Sequence, residues 1–293
     1  MCEVSKTFRI PGDYQVKPEK KVLQPLPREK NEDIYNSLLI SPDILFKSFK
    51  NKKPSANTSL NIFNNSSPNN INVGVNINNN PGGKLINENS RVLHIGDSHT
   101  AGIYGKEMDK LLRATGAKVE TVGSSSASPS WFISGHATTK GFYSKDEKGN
   151  VDSPADWKAP HATPKLKNLI SEFQPNIILI SLGANLLGSN GKNIESEVRK
   201  IAEIAKQSGA KIVWVGPPDG RESKKPEEKQ SDLYLHLKKA ASEYGTFVDS
   251  RPYTEYPDSG GDGVHYSGKE GSGMSKLAKS WVNHVYNEIQ NSK

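Results

Sequence analysis

Short apolar runs rich in Val, Ile and Leu recur between residues 91 and 248, and between them apolar residues return every three or four positions. The runs Val92–Ile95, Val119–Val122, Ile177–Ser181, Lys211–Val215 and Thr246–Val248 predict short buried strands. The intervening stretches Ala101–Thr115, Pro164–Phe173, Ile194–Ser208 and Glu227–Tyr244 predict helices, and Lys269–Ile289 predicts one more that closes the chain. Strands alternating with helices predict an α/β fold: three α/β/α layers around a doubly wound, five-stranded parallel sheet of the flavodoxin-like kind. Ligands of such sheets sit beyond the carboxyl ends of the strands. Gly96–Thr100, Gly123–Ser126, Gly183–Asn185 and Gly216–Asp219 each follow a predicted strand, so the fold brings them to one edge.

The pattern stops before Arg91. Residues 57–80 contain 11 Asn, a composition that buries too little apolar surface to offset chain entropy. We read 57–90 as an Asn-rich linker or edge-strand segment, because Ile71, Val73, Val75 and Ile77 alternate with polar residues and Gly74 at the period of a strand. Residues 1–56 form an N-terminal extension with a short helix between Ile34 and Phe49, and 91–293 form the main domain.

Composition agrees that part of the chain lies outside a core: hydrophobic residues make up 33% of 293 positions and the mean hydropathy is −0.67. The net charge of +7 comes without a basic run interleaved with aromatics, so no nucleic-acid partner is expected. No stretch reaches the ~20 apolar residues of a transmembrane span, and the N-terminus does not read as a secretory signal. The single cysteine, Cys2, precludes an internal disulfide. Its position directly after Met1 fits either a lipid-anchored cysteine behind a replaced leader or an incidental thiol, and the extension itself could dock a protein partner.

Chemistry concentrates in three segments. Ser98, in Gly96-Asp97-Ser98-His99-Thr100, lies at a strand-to-helix turn where a hydroxyl is exposed, which suits a nucleophile; helix capping is the plainer role. His265 follows the last strand in a Gly-rich loop and serves as its base, with Asp262 three residues earlier to fix the imidazole tautomer. The alternative for Asp258–Gly263 is a calcium-like or turn-forming cluster. An ester's tetrahedral intermediate needs oxyanion donors; the amides of Ser98 and Gly123 and the side chain of Asn185 supply three, although Asn after a strand is also a common turn former. His94 is expected in the core, and His99 is expected to project away from the site.

Ser98, Gly123, Asn185 and His265, in this order at strand ends with the Asp262-x-x-His265 spacing, resemble the four blocks of the SGNH (GDSL-type) hydrolases over roughly residues 91–289. The resemblance implies Ser98 as nucleophile, Gly123 and Asn185 as oxyanion donors, His265 as base and Asp262 as its orienter, with no cofactor. Asn185 is followed by Leu186 where the family often has Asp, and Ser98 by His99 where Leu is commoner. The Gly-Asp-Ser-His-Thr-Ala form is similar to that of bacterial carbohydrate O-acetylesterases, including those of peptidoglycan.

Residues 131–163 lack periodicity and read as a long irregular loop at the ligand edge, with Trp131, His136 and Trp157 as candidate substrate-binding residues. Packing of the loop's aromatics into a satellite core is the alternative. His136 and His161 have no carboxylate or cysteine at ligand spacing, so no metal is expected. The expectation is therefore a serine esterase that releases acyl groups, chiefly O-acetyl, from an envelope glycan. The alternatives are a lipase or lysophospholipase, an O-acyltransferase, or a glycan-binding adaptor. An envelope substrate implies a periplasmic or secreted protein whose signal peptide has been removed; otherwise the protein is cytoplasmic.

Overall fold

The computed structural model describes residues 83–292. The expected strand at 71–77, the helix within 34–49 and Cys2 lie outside the described residues. The strands are β1 (Arg91–Gly96), β2 (Lys118–Ser124), β3 (Ala137–Thr138), β4 (Phe142–Lys145), β5 (Val151–Asp152), β6 (His161–Ala162), β7 (Ile177–Ser181), β8 (Lys211–Val215) and β9 (Thr246–Val248). The helices are α1 (Ser98–Ala101), α2 (Ile103–Arg113), α3 (Trp131–Ser134), α4 (Leu166–Phe173), α5 (Gly191–Lys206), α6 (Glu227–Ala241) and α7 (Gly273–Asn291).

All five expected strands form and pair in parallel in the order β2-β1-β7-β8-β9. The sheet is nevertheless seven-stranded and mixed, which corrects the expected five-stranded parallel sheet. β4 adds antiparallel to β2 and β5 adds antiparallel to β4. A second small sheet pairs β3 with β6. Residues 131–163 are thus a short helix and two antiparallel pairs rather than an irregular loop. β3, β5 and β6 have two residues each, too short for periodicity to announce, and β4 ends in the polar pair Ser144 and Lys145.

Alternation along the strands divides the core. Leu93, Ile95, Ile178, Ile180, Ile212 and Trp214 face α4, α5 and α6 on one side. Val92, Ile177, Leu179, Val213 and Val215 face α2 and α7 on the other. The parallel strands reverse direction of succession between β1 and β7, so the crevice of this topology opens at their carboxyl ends.

Buried polar groups fix the layers. Asp109 of α2 has no exposed surface and binds Arg113 Nε at 2.9 Å, Lys145 Nζ at 2.8 Å and Thr121 Oγ1 at 3.1 Å, tying β4 to the parallel sheet. His94 lies in the core as expected, its Nε2 3.0 Å from Ser181 Oγ, and burial pushes its pKa down to about 4. Within the segment read as linker, Ile86 is buried against α7 and exchanges hydrogen bonds with the Gln290 side chain. The described residues contain no helix long and apolar enough to cross a membrane.

Candidate active site

The turn after β1 delivers Ser98. Asp97 is the N-cap of α1, and its carboxylate accepts the His99 amide at 3.0 Å. Because Asp97 takes the capping role, Ser98 becomes the first helical residue and its hydroxyl is left for the crevice. α1 rests on the strand ends with no room to spare: a Cβ on Gly96 would lie 1.9 Å from Thr100 Oγ1, and one on Gly123 only 2.2 Å from the Ala101 amide nitrogen.

Ser98 Oγ stands 2.9 Å from His265 Nε2, and His265 Nδ1 stands 2.6 Å from Asp262 Oδ2. A carboxylate can only accept, so Nδ1 carries the proton and Nε2 accepts the Ser98 hydroxyl. Asp262 also accepts the Val264 and His265 amides on Oδ1, at 2.8 and 2.7 Å. Partial burial pushes the Asp262 carboxyl up, but hydrogen bonds from the His265 amide and ring and from Val264 outweigh it and hold the group well below the usual carboxylate range. Its oxygens are engaged in orienting the loop, and among the described residues no group of three or more His, Cys, Asp or Glu is arranged to hold a metal ion.

Behind this chain of hydrogen bonds lie the buried rings of His99 and Trp281. The His99 ring packs edge-on against Trp281 with centroids 5.6 Å apart, and lies 5.4 Å from the His265 ring. Burial drives its pKa well below the ordinary value, with the charges of Lys225 and His265 adding to the effect. His99 therefore lies beside His265 rather than projecting away from the site. Trp281 in turn stacks on Tyr104 of α2 at 4.0 Å, so α7 backs α2 through Tyr104 and α1 through His99. Burial raises the Asp97 carboxyl to about 6, opposed by the His99 amide and the charges of Lys225 and His265.

Ser98, His265 and Asn185 line one open pocket of about 530 Å³. Asn185 sits in a 3₁₀ turn, Ala184–Leu186, directly after β7. One of its amide hydrogens goes to the Ala127 carbonyl at 3.0 Å, which fixes the side chain and leaves the other hydrogen for the pocket. Gly123 does not reach the pocket; it is buried within β2, in register with Gly96 and Tyr143. Its smoothness serves the close approach of α1. From this segment Ser125 and Ser126 line the pocket, Ser126 in a left-handed conformation with φ 68°. The Ser126 amide donates to no acceptor among the described residues, and neither does that of Ser98. A positive φ at a serine leaves no mark in the sequence, whereas a glycine after a strand does, and this explains why Gly123 stood out instead.

Of the aromatic candidates, Trp157 lines the pocket and is 54% exposed. Trp131 and His136 do not line it; they pair with each other at 4.2 Å, and Trp131 packs on the core. His161 stacks on Phe142 at 3.6 Å and binds Asp152 at 3.0 Å, holding the inserted strands together. Lys140 and Lys225 also line the pocket. The sequence gives no cue to them, since both lie in polar stretches that read as solvated surface.

The packing of Gly123 makes an outcome measurable. Gly123→Ala retains the amide but forces a methyl into the backbone of α1. We expect a loss of about 1–3 kcal/mol of stability, seen in thermal unfolding, together with a lower kcat as Ser98 is displaced. Unchanged stability and rate would assign Gly123 no spacing role.

No protein-family model matches the chain, and a search of curated proteins gives no match. Solved structures similar to it include an acetyl xylan esterase variant from Geobacillus stearothermophilus, at 16% identity over 68% of this chain and 96% of that chain, TM-score 0.43. A family 3 carbohydrate esterase from Clostridium thermocellum is 14% identical over 69% and 99%, TM-score 0.42. A GDSL-like lipase from Bacteroides thetaiotaomicron is 14% identical over 68% and 88%, TM-score 0.39. These are distant likenesses, and the chemical reading rests on the side chains described above.

Proposed function

We propose that the protein is a serine esterase of the SGNH type that removes O-acetyl groups from a carbohydrate through an acyl-enzyme. The observation that carries this reading is the continuous set of hydrogen bonds from Asp262 through His265 to Ser98, ending at an open pocket edged by free amide donors. Ser98 Oγ attacks the ester carbonyl carbon while its proton passes to His265 Nε2. The amides of Ser98 and Ser126 and the free hydrogen of Asn185 face the oxyanion. Collapse breaks the bond to the sugar oxygen, which takes the proton from His265. Water, deprotonated by His265, then attacks the acyl-enzyme, and acetate leaves as Ser98 regains its proton.

Trp157 at the rim offers a face for a sugar ring. The test is acetate release from O-acetylated peptidoglycan, with p-nitrophenyl acetate as a generic ester and a fluorophosphonate to label the nucleophile. Release with label on Ser98 supports an esterase of an envelope glycan. Cleavage of the small ester alone would redirect the search to other acylated glycans, and absence of both cleavage and label would leave a binding module.

Asn185→Ala should lower kcat by about 10²–10³-fold with little change in KM, the usual cost of one oxyanion donor. It also releases the Ala127 carbonyl and with it the loop carrying Ser126. A change confined to KM would place Asn185 in substrate binding only.

A further inference from the structure

Lys225 is 5% exposed, and its Nζ has no hydrogen-bond partner among the described residues. A buried ammonium without a partner is costly. The acidic groups whose fields reach it are Asp97, Asp219 and Asp262. None forms an ion pair with it among the described residues, and each is already engaged: Asp97 by the His99 amide, Asp219 by Gln230 Nε2 and the Tyr256 amide, and Asp262 by His265 and Val264. Burial lowers the Lys225 pKa, and these three carboxylates oppose the shift without overcoming it, so the ammonium is left short of compensating charge.

The same residue forms part of the wall of the pocket that holds Ser98, His265 and Asn185. Among the described residues no aspartate or glutamate lines that pocket, while a second lysine, Lys140, stands exposed at its rim. The cavity thus presents cations and neutral donors but no acid.

We propose that the pocket selects esters that carry a carboxylate within reach of Lys225. This rests on the esterase reading above and names its substrate class. A carboxylate brings the one buried ammonium a single negative charge, whereas the other lysine of the pocket, Lys140, stands exposed to solvent. The carboxylate can belong either to the sugar that bears the acetyl group or to the acyl chain itself. In both cases it completes the coordination that Lys225 lacks and holds the ester carbonyl against Ser98.

The experiment compares kcat/KM for two matched pairs of substrates. O-acetylated polygalacturonate against O-acetylated xylan places the carboxylate on the sugar; mono-p-nitrophenyl succinate against p-nitrophenyl acetate places it on the acyl side. The wild-type chain should favour the carboxylated member of one pair by about 10–100-fold, the scale of a hydrogen bond to a charged group, and the favoured pair identifies the source. In Lys225→Met the ratio should collapse toward one. Equal rates within both pairs, or a preference that survives Lys225→Met, would overturn the proposal. Should Lys225→Met not fold, calorimetry of the wild type with succinate and with its neutral isostere succinamide decides: binding of succinate alone supports the site, and equal binding or none excludes it. A wild type that cleaves no ester refutes the esterase reading, and the calorimetric comparison still decides the carboxylate site.

Discussion

Ser98→Ala lowers kcat for p-nitrophenyl acetate by about 10⁴–10⁶-fold, the range over which removal of an activated serine acts elsewhere. The melting temperature stays within about 2 °C of the wild type, because a half-buried hydroxyl is removed from the surface of a pocket. The local structure explains why the two effects separate. Asp97, not Ser98, caps the helix, and among the described residues the Ser98 hydroxyl bonds only to His265 Nε2. Without the hydroxyl there is no group to carry the acyl intermediate, and the oxyanion donors can assist only direct attack by water. His265→Ala should fall by a similar factor, and the double variant no further, since the pair acts as one unit. A folded Ser98→Ala protein that retains wild-type rates would remove the nucleophile from Ser98 and with it the proposed mechanism.

The parts of the site that were legible in the sequence are those in which one residue type serves one chemical need. Ser98 after a β-branched run, Asn185 after another, and Asp262 three residues before His265 could be placed because each lies at the end of a buried strand or in a Gly-rich loop. The parallel strands were equally legible, their apolar runs being long enough to stand out. What escaped was set by tertiary packing. The antiparallel strands β4 and β5 are short and half polar, held by Asp109 and its cationic partners across the sheet. Ser126 takes its place through a backbone angle, and Lys225 through burial of a residue type that usually stays in water. Gly123 was singled out as an oxyanion donor, but its neighbour is the α1 backbone rather than the pocket.

Asp262→Asn should cost about 10³–10⁴-fold in kcat while KM changes little. Asp262 does two things with its two oxygens. Oδ1 accepts the Val264 and His265 amides and so shapes the loop, and Oδ2 accepts the proton on His265 Nδ1. An asparagine can keep only one of these arrangements. With its oxygen on the backbone amides, its NH₂ faces Nδ1 and requires that nitrogen to accept; the ring proton then moves to Nε2, where it points at Ser98 and can no longer take the serine proton. With its oxygen on Nδ1, the tautomer is right but the amides of Val264 and His265 meet an NH₂ group, and the loop that aims the imidazole loosens. In either case the negative charge that stabilises the imidazolium in the transition state is gone. Measuring kcat for Asp262→Asn beside Asp262→Ala separates the causes. A tautomer effect makes the asparagine variant as slow as the alanine or slower, although it retains more of the loop's hydrogen bonds. An asparagine variant close to wild type would reduce Asp262 to a loop-shaping residue and leave His265 to act without an orienting carboxylate.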